Sequence, residues 1–403
     1  MAKRIFELPR QDQLTKDQRK VLRLPAEGQY LIVGAPGTGK SVVALLRLQA
    51  LANTEDVHFL TFNHVLNHAN KYLVDDSFET KMHTAMSWLY DLQWKIVKGT
   101  ADTFNISKMP EVAPHQPNYE VLIDRFSLHN ANLSGHSLII DEGQDLPPEW
   151  YEAIESLSIE NFFVVADQNQ QITEHHSSRT ELETCLVLNS DDVIELKENW
   201  RNTMPIATFC SYFYTDKASP KPAIPNRASV NIPILYEYDV LDKVKEQILK
   251  EYDFDPSKLI GIFVANETKR VDWMRRLGND DKQRNNPPPV ISTYSANQKG
   301  AVSINFGQGG IVVLNDKSVK GIEFDTVFIQ TDGFKNISGN EESLKKRLYV
   351  MSSRAREKLY LFKSKVQNSV LEAILPPEGE VIKFIPEGES NEIEIEILKR
   401  RKL

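Results

Sequence analysis

Two stretches of this 403-residue chain carry side chains and glycines at spacings that suit phosphate chemistry. The first is "GAPGTGKS", Gly34 to Ser41, which follows an apolar run and precedes an amphipathic one. Gly34, Gly37 and Gly39, with the intervening Thr38, let backbone N–H groups close on an anion, and a helix N-terminus adds partial positive charge. Lys40 would then reach the outer phosphates of ATP, and Ser41 would ligate Mg²⁺. The second stretch is "SLIIDEGQDLPPEW", residues 137–150, where Asp141 and Glu142 end an apolar run. Alone, such a pair is often an ordinary turn. Beside a phosphate loop, Asp141 would hold Mg²⁺ and Glu142 would orient and deprotonate an attacking water. A third candidate is Gln18 in "LTKDQRKVL", on a helix that leads towards the loop. A carboxamide can pair with the N6 and N7 edge of adenine and so select ATP, although a plain surface glutamine is the blander reading.

Such residues need a scaffold, and the chain supplies alternating signals for one. Short β-rich runs, "YLIVG" (30–34), "VHFLTF" (57–62), "SLIID" (137–141), "NFFVVAD" (161–167) and "VIELK" (193–197), are separated by helical patterns such as "SVVALLRLQALA" and "PEWYEAIESL". A Pro-rich stretch (219–233) interrupts the pattern. It resumes with "LIGIFVA" (259–265), "GIVVLN" (310–315), "TVFIQ" (326–330) and "KLYLFK" (358–363). Apolar strands alternating with amphipathic helices imply parallel sheets covered on both faces. The expected fold is therefore α/β, in two domains spanning 1–200 and 201–403, with a short insertion at about 85–135 in the first. Residues 105–118 and 279–290 lack periodicity and read as loops, and the charged end from 387 as an edge strand with a frayed tail.

Composition narrows the setting. With 41% apolar residues each domain can build a core. Only two cysteines occur, Cys185 and Cys210, without zinc-ligand neighbours, which points to a reducing cytoplasm. The N-terminus has no apolar core of signal-peptide length, and no run approaches the roughly 18 apolar residues of a membrane span, so a cytoplasmic protein without a membrane partner is expected. A net charge of −8 argues against bulk electrostatic coating of nucleic acid. The halves differ: residues 1–200 hold 17 Lys and Arg against 29 Asp and Glu, whereas 201–403 hold 31 against 27. A polyanion would meet local patches such as "KRVDWMRR" (269–276) and "KKR" (345–347), which read equally well as solvated helix faces.

The ordered series "LTKDQRKVL", "GAPGTGKS", "FLTFNH", "IIDEGQD", "VVADQNQQI", "LKENWRNT", "SVKGIEFDTVFI" and "YVMSSRAREKLYL" resembles the motif set of superfamily 1 helicases of the UvrD, Rep and PcrA kind, over residues 14–362. The resemblance implies two tandem RecA-like P-loop domains. Gln144 and Asp145 would relay between the nucleotide and the strand, and Gln170 would sense the γ-phosphate. Trp200 sits where the family stacks adenine, Arg201 where it directs an arginine at the phosphates, and Arg354 where it has a second arginine finger. Gly321 and Glu323 match a pair near nucleotide and strand. Thr61, Phe62, Asn63 and His83 match motifs that contact the strand, although Phe62 reads as core nearly as well. Binding of ATP would close the domains and hydrolysis would release them, a ratchet along single-stranded DNA or an overhang duplex, 3′ to 5′.

Departures are informative. After "ADQNQ" the family has a Tyr and then a base-stacking Trp, whereas "ITEHH" offers Thr173, His175 and His176; the histidines are candidate, weaker, stacking groups. "NDKS" replaces the family's Thr and His. Only residues 281–309 separate "WMRRLGND" from "GIVVLNDKS", where large relatives insert an accessory domain. The chain thus reads as a compact translocase or helicase. Alternatively it is a nucleic-acid-sensing ATPase subunit that licenses a partner nuclease or toxin in phage defence. DNA and RNA both stay open as substrates, since no residue here reads a 2′-hydroxyl.

Overall fold

The computed structural model describes residues 4, 6–51, 56–98, 109–113, 116–167, 177–215, 221–278, 287–294, 302–335, 341–366, 369–379 and 381–387. They form two compact units. One takes its described residues from 6–199, with Lys221 and Pro222; the other takes them from 200–215 and 223–387, with Arg4.

The first unit begins with α1 (Lys16–Leu22), whose N-terminus is closed by a reciprocal box. Thr15 Oγ1 accepts from Gln18 N, and Gln18 Oε1 accepts from Thr15 N. Then come β1 (Gln29–Gly34), α2 (Lys40–Ala50), β2 (Val57–Thr61), α3 (His64–Lys71), β3 (Met82–Thr84) and α4 (Ala85–Val97). Asn63 and Thr84 cap α3 and α4 with side-chain oxygens. Part of the expected loop at 105–118 is instead a short antiparallel pair, β4 (Glu111–Ala113) with β5 (Gln116–Pro117). Its residues are exposed or half-buried, so no apolar alternation announces it. The unit continues with α5 (Tyr119–Leu128), β6 (Ser137–Asp141), α6 (Pro148–Glu155), β7 (Asn161–Ala166), α7 (Arg179–Cys185) and β8 (Val193–Leu196).

Its sheet has the order β3-β2-β6-β7-β1-β8, and every pairing is parallel. The inner strands are apolar at nearly every position because helices cover both faces. On one face Ile32, Phe59, Ile139 and Val165 pack with Val43, Leu45 and Leu48 of α2. On the other, Leu31, Leu60, Ile140 and Val164 pack with Trp88, Leu122, Trp150 and Ile154 of α4, α5 and α6. This register brings Gly34, Asp141 and Ala166 to the same end of the sheet, where the strands finish, since Asp141 aligns with Val165 and Val33 with Ala166.

The second unit contains α8 (Met204–Ser211), β9 (Ile234–Tyr238), α9 (Leu241–Phe254), β10 (Leu259–Val264), α10 (Glu267–Gly278), β11 (Ile291–Tyr294), β12 (Gly310–Asn315), β13 (Phe324–Gln330), α11 (Glu341–Ser352), β14 (Ala355–Ser364) and β15 (Lys383–Ile385). The strands pair in parallel in the order β11-β12-β10-β13-β14-β9-β15. Both units are thus α/β, each a parallel sheet flanked by helices. Residues 279–286 of the second expected loop, and the tail beyond Glu387, lie outside the described residues. Among the described residues no helix is long and apolar enough to cross a membrane.

Candidate functional site

In the first unit, β1 delivers Gly34 and α2 takes over at Lys40, so residues 34–41 form the turn between them. Gly37 and Gly39 have φ of 81° and 84°, a left-handed backbone that side chains disfavour. A Cβ on Gly34 would stand 2.6 Å from Thr38 Oγ1 and 2.9 Å from Leu196 O, so nothing larger than glycine fits. Thr38 Oγ1 donates to Ala35 O at 2.8 Å and closes the turn on itself. The result is a backbone cradle at a helix N-terminus, which suits an anion.

Lys40 is buried. Its Nζ donates to Gly34 O (2.7 Å) and Ala35 O (3.0 Å) and pairs with Asp167 Oδ2 at 3.4 Å. Gln18 is also engaged within the protein, Oε1 accepting in the cap of α1 and Nε2 donating to Thr38 O at 2.9 Å, so the side chain braces the loop. The T-x-x-Q spacing that makes the cap was visible in "LTKDQ".

Asp141 ends β6 opposite the loop, fully buried. Ser41 Oγ donates to its Oδ1 at 3.1 Å, and Asn70 Nδ2 of α3 donates to its Oδ2 at 3.2 Å. Burial, then the neighbouring Glu142, raise Asp141 from 3.8 to about 6, against the opposing pull of Ser41, Asn70 and Lys40. Two hard oxygens 3.1 Å apart suit cis positions on Mg²⁺, since ligands at about 2.1 Å in an octahedron lie about 3.0 Å from each other. Ser41 and Asp141 therefore fit the expected ion. No group of three or more His, Cys, Asp or Glu gathers as a metal cluster among the described residues.

Glu142 adopts φ 59°, a left-handed conformation unusual for a glutamate, which turns the chain sharply out of β6. Gln144 Nε2 donates to Glu142 Oε2 at 2.6 Å, and Gln144 Oε1 accepts from Asp167 N at 3.0 Å. A chain of contacts thus runs from Glu142 through Gln144 to Asp167 and on to Lys40. Asp145 is buried beside it. Asp167 and Asn70 carry no role in the motif reading. Asp167 closes "NFFVVAD" as Asp141 closes "SLIID", a parallel the sequence displayed, whereas nothing in "NHAN" marks Asn70.

Of the expected strand contacts, Thr61 has no exposed surface. It ends an inner strand, and its hydroxyl donates to the backbone oxygens of Asn63 (3.3 Å) and His83 (3.4 Å), so its side chain serves the fold instead. Phe62 is half-buried against the core, Asn63 caps α3, and half-buried His83 contacts Thr80 O through Nε2 at 2.9 Å. Gln170, His175 and His176 lie outside the described residues.

In the second unit Trp200 is 61% exposed. Arg201 donates from Nε to Glu323 Oε1 at 2.7 Å. Gly321 has φ 79°. Burial would raise the half-buried Glu323, but Arg201 and Arg356 outweigh it and bring the carboxyl from 4.5 to about 2. Arg4 joins this cluster through Asp325 at 2.9 Å, and Arg356 stands 4.0 Å from both Glu323 and Asp325. Arg354 is buried, with Nε donating to Val350 O at 2.9 Å. The departure "NDKS" has a structural reading here. Asn315 Oδ1 accepts from Ser318 N and Oγ, and Asp316 pairs with Arg347, whose guanidinium covers Phe334.

The cradle, the buried lysine and the Ser41–Asp141 pair together make a P-loop nucleotide-binding site. Residues 18–176 match a family model described as an AAA domain, AAA_19. No curated protein matches the chain. Among solved structures, S. cerevisiae Dbp5 bound to RNA and ADP BeF3 is similar at TM-score 0.50 and 11% identity, over 96% of this chain and 93% of that one. PRRSV helicase gives 0.42 and 13%, over 90% of this chain and 57% of that one. The C-terminal domain of a possible DNA helicase from Lactobacillus plantarum WCFS1 gives 0.31 and 18%, over 46% of this chain and 98% of that one. At such identities the Dbp5 likeness bears on the fold alone, and the two lower scores carry no weight.

Proposed function

We propose that the protein is an ATP-dependent translocase or helicase of the superfamily 1, UvrD-like kind, acting on single-stranded DNA with 3′ to 5′ polarity. The observation that carries this reading is the convergence, in one unit, of the glycine cradle, Lys40, the Ser41–Asp141 pair and a Glu142 held by Gln144. The loop and Lys40 would bind the ATP phosphates, and Ser41 and Asp141 would hold Mg²⁺, which supplies charge neutralisation on the phosphates. Glu142 would take the proton from water, its carboxylate aimed by the 2.6 Å bond from Gln144. Gln170 would report the γ-phosphate to that relay. In the second unit Trp200 would stack the base, Arg201 and Arg354 would supply transition-state charge, and Gly321 and Glu323 would set Arg201. The domain division at about residue 200 and closure on ATP belong to the same proposal.

One observation favours a second reading. The positions in "NDKS" where the family grips its strand are occupied by an internal brace, which supports a weaker hold on nucleic acid. A nucleic-acid-sensing ATPase that licenses a partner nuclease needs only that weaker hold. Dbp5 was solved with RNA, which keeps an RNA substrate in the comparison. ATPase rates with single-stranded DNA, duplexes carrying either overhang, and RNA test the proposal. Stimulation by single-stranded DNA and the 3′ overhang is expected, with poor single-turnover unwinding of a duplex of tens of base pairs by the monomer. Equal rates with and without every nucleic acid would end both readings. Strong stimulation without translocation would favour the sensor.

A further inference from the structure

Asp141 has a separate keeper on each carboxylate oxygen. Ser41 Oγ faces Oδ1 at 3.1 Å, and Asn70 Nδ2 faces Oδ2 at 3.2 Å. A carboxylate rotates easily about its last torsion, which has broad minima. Ser41 alone could donate to either oxygen. The second bond, from a side chain 3% exposed, fixes the plane and decides which oxygen faces the phosphate loop. Asn70 sits outside "FLTFNH" but on the helix that this motif starts: α3 opens at the Asn63 cap, beside half-buried Phe62, and runs His64–Lys71. Eight residues make a rigid rod of about 12 Å. One end of α3 carries the candidate strand contacts and the other carries the amide on Asp141.

We infer that Asn70 is a positioning residue that sets the plane of Asp141 for a divalent cation, and that through α3 it ties this setting to strand contact at Phe62 and Asn63. The inference rests on the reading of Ser41 and Asp141 as the Mg²⁺ pair. Hydrogen-bond partners behind a metal ligand commonly alter metal affinity by about 10–100-fold. Here the partner belongs to α3, whereas the ligands lie on α2 and at the end of β6, so a small shift of α3 turns the carboxylate without moving the loop.

The test uses the full chain carrying Asn70→Leu, which keeps the volume and removes the donor, and Asn70→Ser, whose hydroxyl is too short to reach. Mn²⁺ binding to the ADP-loaded protein is read by electron paramagnetic resonance. Both variants are expected to bind Mn²⁺ about 10–100-fold more weakly, with metal-free ADP binding unchanged, and stimulation of ATPase by oligo(dT) is expected to fall. Mn²⁺ affinity within about twofold of the parent, in whichever variant folds, overturns the inference. Weaker Mn²⁺ binding with full stimulation overturns its α3 half. An Asp141→Ala control that still binds Mn²⁺ like the parent would refute the metal pair itself and not Asn70.

Discussion

The two units each hold a carboxylate at the heart of their candidate site, and the surroundings push the two in opposite directions. Asp141 rises from 3.8 to about 6 under burial and the Glu142 charge, with a hydroxyl and an amide as its hydrogen-bond partners. Glu323 falls from 4.5 to about 2, because Arg201 and Arg356 more than offset burial. One site is arranged so that added positive charge would lower its energy. The other already carries more cations than anions, with Arg4, Arg201 and Arg356 around Glu323 and Asp325. The difference suits a first site that takes up a metal cation and a second whose carboxylates are already neutralised by arginines.

The largest effects should come from breaking the first site. Lys40→Ala is expected to abolish ATP hydrolysis with loss of nucleotide binding, whereas Glu142→Gln should abolish hydrolysis and retain binding. Rapid-quench hydrolysis alongside fluorescent nucleotide titration separates the two. Hydrolysis by Glu142→Gln at the parent rate would remove Glu142 from its role. Breaking the second site should cost less. Arg354→Ala is expected to lower kcat by about 10³, the scale of an arginine finger, with nucleotide affinity little changed. A kcat within threefold of the parent would leave Arg354 as a structural residue held by Val350 O.

How far this contrast was legible in the sequence depends on whether a residue's task lies in its own segment. Gly34 to Ser41 and the strand ending at Asp141 were visible because spacing and flanking periodicity are local signals. The β4–β5 pair escaped because two exposed short strands bury nothing and so leave no alternation. Gln18 reads as an adenine contact, while its T-x-x-Q box, also a local signal, additionally announces the helix cap in which its Oε1 takes part. Thr61 was assigned to the strand although it ends an inner strand with both neighbours in place. The links least visible were those closed only by folding: Asn70 to Asp141 across 71 positions, Lys40 to Asp167 across 127, and Arg4 to Asp325 across 321.

The opposite shifts also predict opposite effects on stability. A carboxyl raised when folded penalises the folded state once it ionises, so Asp141→Asn should raise the melting temperature of the metal-free protein at pH 7, with the gain fading as pH falls from about 6 towards 3.8. A carboxyl lowered when folded contributes stability above its ordinary value. Glu323→Gln should therefore lower the melting temperature at pH 7, and the deficit should shrink as pH falls from 4.5 towards about 2. Melting curves of both variants between pH 3 and 8 check the pair. Shifts of the same sign at pH 7 would break the comparison drawn here.

The smallest effect sharpens the second unit's part. Trp200 keeps 61% of its surface exposed beside Arg201, a costly placement for an indole and an available one for a base. Stacking on an aromatic face is worth roughly 1–3 kcal/mol, and about 1.4 kcal/mol corresponds to tenfold. Trp200→Ala should therefore raise the KM for ATP about tenfold with kcat nearly kept, and Trp200→Phe, which retains a flat face, should stay within about threefold. Because every base has such a face, the same alanine variant should raise the KM for GTP by a similar factor. If Trp200→Ala lowers kcat and leaves both KM values in place, the tryptophan acts on the arginine cluster next to it and not on the nucleotide base.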